Sequence, residues 1–354
     1  MNDQESELIV RFEVEKDEDD GNCEDCTKSN NKQSSSNQSA YIGKKPKWWK
    51  QLARRKGTKG QRKAIYEMTQ RGYVLPRLDK YLHMIDIQSL VHIPPRGEPL
   101  TNDILIPRSE EENQTNETEI NNLSEMITHL EIGFGQGENL LTNAMMHPDQ
   151  FYIGAEIHQP GVGVALGRMK EALSIEDYWT GQNWLDLSYK THNHTSLSSH
   201  IPYDNVRIYP GDGVKILRFL PQSSIHNIYL TFPDPWPKNH QKQYRVIQED
   251  TIELIQYVLK PGGLFYLATD AIVFDEWTRK VFDIIQKKSM EENGFMYWKA
   301  MDDCPNRKNW LPVLSKYETK GIEEGRYTIC RCWKYIEPDD NDYVDTRRTN
   351  KEDE

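Results

Sequence analysis

From Met126 onward, short apolar runs bounded by glycine and proline alternate with stretches whose apolar residues recur at helical spacing. Met126 to Ile132 reads as a buried strand running into Gly133-Phe-Gly-Gln-Gly, and Asn139 to Met146 as a helix stopped near Pro148. Phe151 to Ile157 follows as a strand, Gly163 to Ala172 as a helix, and Val206 to Tyr209 and Asn227 to Phe232 as two further strands. A helix around Val246 to Leu259 is stopped by Lys260-Pro-Gly-Gly before the strand Leu264 to Thr269. Phe295 to Met301 and Tyr327 to Tyr335 have the makings of an antiparallel pair finishing the sheet. Strands alternating with helices predict an α/β fold, with a mostly parallel sheet, helices on both faces and an antiparallel C-terminal hairpin. No internal repeat is present.

Polar segments interrupt this pattern. Residues 1–40 end in a Ser/Asn/Gln-rich tract too poor in apolar surface to offset its ordering entropy, so a disordered tail is expected there. Residues 41–108 read as a basic arm and an N-terminal extension of the main domain, 109–122 as a polar linker or insert, and 123–336 as the main domain. Within that domain, residues 174–203, rich in Thr, His, Asn and Ser, look inserted, and 337–354 form a second disordered tail.

Charge sharpens the division. Of the chain's net −11, residues 1–40 carry −7 and residues 337–354 carry −5, which leaves the body at +1. Between Tyr41 and Lys63 lie ten Lys/Arg and no acid, with Trp48 and Trp49 among them. Basic residues interleaved with aromatics suit a nucleic-acid arm, a solvated linker being the plainer alternative. No run approaches the roughly 18 apolar residues of a membrane span, and the first residues lack the zones of a secretory signal. A soluble intracellular protein is expected, cytoplasmic or nuclear in preference to organellar, with no membrane partner. Five cysteines are too few for a disulfide scaffold in 354 residues. The pair Cys23 and Cys26 has no second pair at zinc-ribbon spacing, so no metal site is expected.

Three places carry candidate chemistry. Gly133, Gly135 and Gly137 stand where a strand meets a helix, letting a ligand approach the backbone, although a purely structural turn reads the same way. Glu156, at the end of the next strand and 23 residues after Gly133, can accept hydrogen bonds from two ribose hydroxyls; together these favour a nucleoside-bearing cofactor. Asp212-Gly213, after the third strand, puts an acid where an adenine rim would lie. The most specific signal is Phe232-Pro-Asp-Pro-Trp-Pro-Lys238: proline fixes φ on both sides of Asp234 at the sheet's carboxyl edge. Lys238, His240, Lys242 and Arg245 follow at once, as a phosphate-rich substrate would require.

Leu130 to Gly137, Phe151 to Ile157, Phe232 to Lys238, Ala268-Thr-Asp270 and Ser315-Lys-Tyr-Glu318 occur in an order that resembles the tRNA (guanine-N7)-methyltransferases, most closely the bacterial single-subunit type. Arg55-Lys-Gly-Thr-Lys-Gly-Gln-Arg is more weakly similar to that family's N-terminal basic segment. The resemblance implies a Rossmann-like class I methyltransferase that uses S-adenosyl-L-methionine to methylate N7 of a variable-loop guanine in tRNA. It matches Glu131, Gly133, Glu156, Asp212 and Asp234 to positions that line the cofactor pocket; Gly135 and Gly213 are expected to bind the cofactor beside them, and Asp234 is expected to be the catalytic residue by orienting guanine. It places Lys238, Asp270, Ser315, Lys316 and Glu318 at substrate-binding positions, and His240, Lys242 and Arg245 on RNA. Ser315 stands where the family usually has Thr, and the long insert and acidic tails have no counterpart. Pro237 before Lys238 is the bacterial arrangement, which implies action without the β-propeller partner of the eukaryotic type. Two other readings remain open: an amino-group methyltransferase of DNA or RNA, whose (Asp/Asn)-Pro-Pro-aromatic loop Asp234-Pro-Trp approaches, and a non-catalytic RNA-binding protein on the same scaffold.

Overall fold

The computed structural model describes residues 57–76, 126–174, 201–302 and 304–338, with shorter pieces at 78, 83–87, 90, 100 and 104–107. The expected acidic tail 1–40, most of the basic arm, the polar run 109–122 and residues 175–200 of the expected insert lie outside the described residues, as does the C-terminal tail beyond 338.

Thr58 starts the first helix, α1 (Lys59–Gln70), with a capping box: its hydroxyl accepts from the Gln61 amide while the Gln61 side chain accepts from the Thr58 amide. Ala64, Ile65 and Met68 form its buried face. Beyond it the chain joins the sheet edge at Val74, bridging in parallel to Ile208. A small antiparallel pair follows, β1 (His83–Ile85) and β2 (Leu105–Pro107).

The main chain order is β3 (Thr128–Ile132), α2 (Glu138–Met146), β4 (Phe151–Ala155), α3 (Gln159–Ser174), β5 (Val206–Tyr209), α4 (Gly213–Leu217) and β6 (Ile225–Thr231). Then come a 3-10 turn at Asn239–Tyr244, α5 (Glu249–Val258), β7 (Leu259–Thr269), α6 (Ile272–Asn293), β8 (Trp298–Ala300), α7 (Lys316–Glu323) and β9 (Ile329–Tyr335). The seven strands lie in the order β5-β4-β3-β6-β7-β9-β8. The first five are parallel, and β9 runs antiparallel to both β7 and β8. Every residue of β3, β4 and β5 is buried, as a parallel sheet covered on both faces requires. One core cluster holds Phe134, Leu141, Val162 and Leu166 with Ile65 and Met68 of α1; another holds Ile228, Phe265, Ile255, Phe274 and Phe282. In the latter, the rings of Phe282 and Trp333 stack at 4.3 Å and 3°.

The class expected from the pattern is the one observed, with strand starts and ends shifted by up to two residues at most positions. β8 begins three residues later than expected and α3 four earlier, and two further differences are larger. Lys260-Pro-Gly-Gly does stop α5, but β7 has already begun at Leu259. Leu259 pairs with Ile225 and Leu264 with Asn227, so the intervening residues bulge out of the ladder, with Gly262 at φ +81°. The longest helix among the described residues, α6, is not among the elements expected from the sequence. Its buried positions Phe274, Thr278, Val281, Phe282 and Ile285 do follow helical spacing, so the signal is present.

From β3 the chain winds outward through β4 to β5, then crosses back to lay β6 on β3's other side. Such a reversal opens a crevice at the carboxyl ends of the central strands.

Candidate active site

At the end of β3 the backbone turns through Gly133, Gly135 and Gly137, with φ of +74°, +62° and +79°. That left-handed conformation strains any residue with a Cβ, and at Gly135 it aims the amide at Glu156, donating to Oε2 at 2.8 Å. Gly161, in the first turn of α3, is required by proximity instead: a Cβ there would lie 2.2 Å from the Gly135 carbonyl oxygen. A Cβ on Gly133 would meet nothing within 4 Å, so that face of the turn borders open space.

Glu156 follows β4 directly. Its Oε1 accepts from the His158 amide at 2.6 Å, and burial raises its pKa above the ordinary carboxylate value in spite of these donors. Glu131, on β3 itself, is fully inside the protein, and burial pushes its pKa up to about 7. Thr231, at the end of β6, donates to its Oε1 at 3.2 Å, and Asn139, in the first turn of α2, to its Oε2 at 3.4 Å. Neither Thr231 nor Asn139 stood out in the sequence; both were findable as polar residues at the ends of elements flanking the glycine turn. After β5, Asp212 caps α4 by accepting from the Val214 amide at 2.9 Å, and Gly213 packs on Ile132.

β6 delivers the proline loop. Phe232 and Trp236 hold φ of +49° and +43°, a conformation that costs a residue with a side chain on the order of 1–3 kcal/mol. The strain is held in place from two sides. The Phe232 amide donates to the Ala268 carbonyl at 2.7 Å, and Arg245 donates from Nε to Pro235 O and from Nη2 to Trp236 O, both at 3.0 Å. Arg245 is 3% exposed, with its guanidinium 5.1 Å from the Trp277 ring centre. The expectation that Arg245 contacts RNA is therefore corrected: it faces inward and braces the loop, its buried guanidinium committed to the main-chain carbonyls of Pro235 and Trp236. Lys242 reaches the same Trp277 ring at 5.9 Å and is half-buried, whereas Lys238 and His240 are exposed. Asp234 as a residue is open to solvent, yet enough protein surrounds its carboxyl for desolvation to raise its pKa.

The Ser315 to Glu318 segment forms the start of α7. The Ser315 hydroxyl accepts from the Glu318 amide at 3.2 Å. Glu318 is buried, with Oε2 taken by Arg307 at 2.5 Å and Oε1 by Thr328 at 2.6 Å, so its carboxylate anchors the segment within the protein. Lys316 is exposed. Asp270, after β7, pairs with Arg326 at 2.7 Å and lies against Gly321 of α7. At the other end of the same helix the Tyr317 ring comes within 3.4 Å of where a Gly135 side chain would begin. Tyr317 thus overlies the glycine turn. The family resemblance covers its segment but gives Tyr317 itself no role.

Glu131, Glu156 and Asp234 come from three neighbouring strands and are close enough to sense one another. After burial, the charges of Glu138 and then Glu156 add to the upward shift at Glu131, and that of Asp234 adds to the shift at Glu156. Carboxylates kept costly in this way favour a ligand that brings positive charge. The carboxylate of Glu156 also has lone pairs beyond those used by its backbone donors at Gly135, Ile157 and His158, enough to accept from a hydroxyl of a bound sugar. Among the described residues no His/Cys/Asp/Glu group could hold a metal ion, and no helix is long and apolar enough to cross a membrane.

A family model described as "Putative methyltransferase" matches residues 125–331. A tRNA (guanine-N(7)-)-methyltransferase of Hydrogenovibrio crunogenus is 35% identical over 202 residues, 57% of this chain and 69% of that one. Enzymes of the same name from Ruegeria pomeroyi and Corynebacterium diphtheriae are each 32% identical, over 56% and 58% of this chain and 68% and 66% of theirs. The chain spans about two thirds of the length of these relatives.

Proposed function

The chain belongs to the tRNA (guanine-N7)-methyltransferases, which use S-adenosylmethionine, and we propose that its crevice performs this transfer on a variable-loop guanine of tRNA. The observation that carries the reading is the convergence of Glu131, Glu156 and Asp234 on one glycine-lined crevice, with a braced loop leading from Asp234 straight to exposed Lys238.

When bound, S-adenosylmethionine supplies a methyl group on a positively charged sulfur. The open side of the turn at Gly133 would admit it, Glu156 would accept from its ribose, Asp212 and Gly213 would border its base, and Glu131 would offer negative charge beneath the turn. Guanine N7 has an in-plane lone pair, so no residue must remove a proton before the methyl moves. The protein's task is alignment, and a displacement of about 1 Å can cost on the order of a hundredfold in rate. Asp234 performs it by accepting from guanine's donor edge, on a loop that Arg245 and the prolines keep from yielding. Tyr317 closes the crevice from above. Lys238, His240 and the exposed part of Lys242 meet tRNA phosphates, with Lys316 and Asp270 at the substrate's far side. The bacterial-type Pro237-Lys238 sequence fits an enzyme that needs no β-propeller subunit.

Incubating the purified chain with unmodified tRNA and S-adenosylmethionine, followed by nucleoside mass spectrometry, tests the reading. 7-Methylguanosine is the expected product; methylated adenine or cytosine would move the protein to the amino-group enzymes. No product, with S-adenosylmethionine unbound in calorimetry, would leave an RNA-binding scaffold.

A further inference from the structure

Three of the five cysteines fall near the C-terminus, and the fold gathers them. Cys330 and Cys332 stand two apart on β9, so both point to one face of the sheet. Arg331 points to the other, where it binds Asp275 at 2.7 and 2.9 Å. Register sets Cys332 opposite Tyr266 and Cys330 opposite Ala268. Cys304, on the segment between β8 and the turn at Arg307–Asn309, packs into the same small cluster with Tyr229, Tyr266, Trp310 and Leu311. Cys304 and Cys332 lie close enough for each thiol to shift the ionisation of the other, and none of the three is in a disulfide.

These contacts select one pair. Two residues along an extended strand put the Cys330 and Cys332 Cα atoms about 6.6 Å apart, at the far end of the roughly 4.4–6.8 Å that disulfides span, and the strand cannot shorten. Cys304 packs against the cluster that holds Cys332 and lies on a connecting segment outside regular helix or strand. We propose that Cys304 and Cys332 form a peroxide-reactive dithiol, with Cys304 attacking first and Cys332 closing the disulfide.

The chemistry favours that order. Cys304 is half-buried and so reachable, while Cys332 is 2% exposed. The proximity of the two thiols holds Cys304 below its usual pKa and raises that of Cys332, and burial pushes Cys330 up to about 11. The thiolate therefore forms first at Cys304. It attacks one oxygen of hydrogen peroxide; the O–O bond breaks, hydroxide leaves and takes up the proton Cys304 had released, and Cys304 becomes a sulfenic acid. The Cys332 sulfur then attacks the Cys304 sulfur, the S–O bond breaks, and the leaving hydroxide takes the Cys332 proton. Two thiols and one peroxide give one disulfide and two waters.

The crosslink does not depend on the methyltransferase reading; its effect on activity does. Three residues beyond Cys304, Arg307 holds Glu318 at the start of α7, and Trp310 stacks on Tyr266 at 4.8 Å. Drawing Cys304 toward β9 pulls on that anchor and so on Tyr317 above the glycine turn. Oxidation is expected to lower the rate of methyl transfer, and a dithiol reductant to restore it.

Peptide mapping of the full chain after hydrogen peroxide treatment, without reduction, tests the pair. A Cys304–Cys332 crosslinked peptide lighter by two hydrogens is expected, retained in Cys330→Ser and absent in both Cys304→Ser and Cys304→Ala. Single-turnover methyl transfer measured on the same samples should fall several-fold on oxidation in the wild type and stay constant in Cys304→Ser. A Cys304–Cys330 crosslink, or stable sulfinic acid at Cys304 with no crosslink, would overturn the proposal. A crosslink without change in rate would overturn only the link to α7, and a reduced enzyme with no activity would count against the function rather than the thiol pair.

Discussion

Arg245 donates from Nε to the carbonyl oxygen of Pro235 at 3.0 Å, ten residues back along the chain and one residue past Asp234. A buried cation committed to main-chain carbonyls braces the loop at Trp236, while the bond from the Phe232 amide to Ala268 holds its other end. Arg245→Ala should destabilise the protein by roughly 1–3 kcal/mol, because those carbonyls are then left without their donor. It should slow methyl transfer while leaving the salt dependence of tRNA binding unchanged. Lys238→Ala should do the reverse, flattening the salt slope by up to about 0.9 log unit per log salt, the value for one phosphate no longer neutralised. Binding titrations at several salt concentrations compare the two; a flattened slope in the Arg245 variant would return that residue to the RNA surface.

Asp234→Asn keeps the size of the side chain but replaces an acceptor oxygen with a donor facing guanine's own donors. The variant should fold and bind tRNA normally, and transfer methyl about a hundredfold more slowly. Because burial raises the Asp234 pKa, the wild-type rate should fall on the acid side at a higher pH than an unperturbed aspartate near 4 would give, while staying flat toward pH 8. Single-turnover kinetics across pH decide both points, and near-wild-type transfer by the Asn variant would remove Asp234 from the mechanism.

The sheet and the carboxyl-edge acids were legible because they rest on local signals: apolar runs of strand length, and glycine or proline immediately after them. What escaped was decided by distant contacts. Arg245 and Lys242 read as one basic run, and only the folded position of Trp277, on a helix not foreseen from the sequence, separates them from the exposed Lys238 and His240. Glu318 has the look of an available carboxylate until Arg307 and Thr328 close on it, and no spacing rule joins those three residues. Asn139 and Thr231 converge on Glu131 from eight and one hundred residues away, an arrangement fixed by the pairing of β3 with β6.

Glu156→Ala should weaken binding of S-adenosylhomocysteine by roughly 1–3 kcal/mol, since the ligand's hydroxyls lose their acceptor and the Gly135 amide loses the bond that orients the turn. Calorimetry measures it directly. Affinity equal to wild type would mean that the sugar lies elsewhere.

Glu131 gives the chain a proton-linked response that can be read in two ways. Its pKa is about 7 in the folded protein against an ordinary 4.5, and the cause is burial, which disfavours the charged form. A raised carboxylate pKa means that the folded state holds a proton the unfolded state has lost. Stability from this group is therefore full below about pH 4.5 and declines as pH rises toward 7, by on the order of 3 kcal/mol. Glu131→Gln removes the titration, and the amide group can donate to the Asn139 Oδ1, which is buried and has no hydrogen-bond partner. In the absence of cofactor the Gln variant should thus gain stability over wild type at pH 8 and not at pH 4.5, in denaturant titrations at both values. The cationic cofactor reverses the balance: its charge favours ionised Glu131, so binding near pH 6 should release a proton. Glu156 and Asp234 also sit above their ordinary values, so the proton count is taken as wild type minus Glu131→Gln, from calorimetry in two buffers of different ionisation heat. Equal proton release by the two proteins would show that Glu131 does not meet the cofactor's charge, whatever its burial.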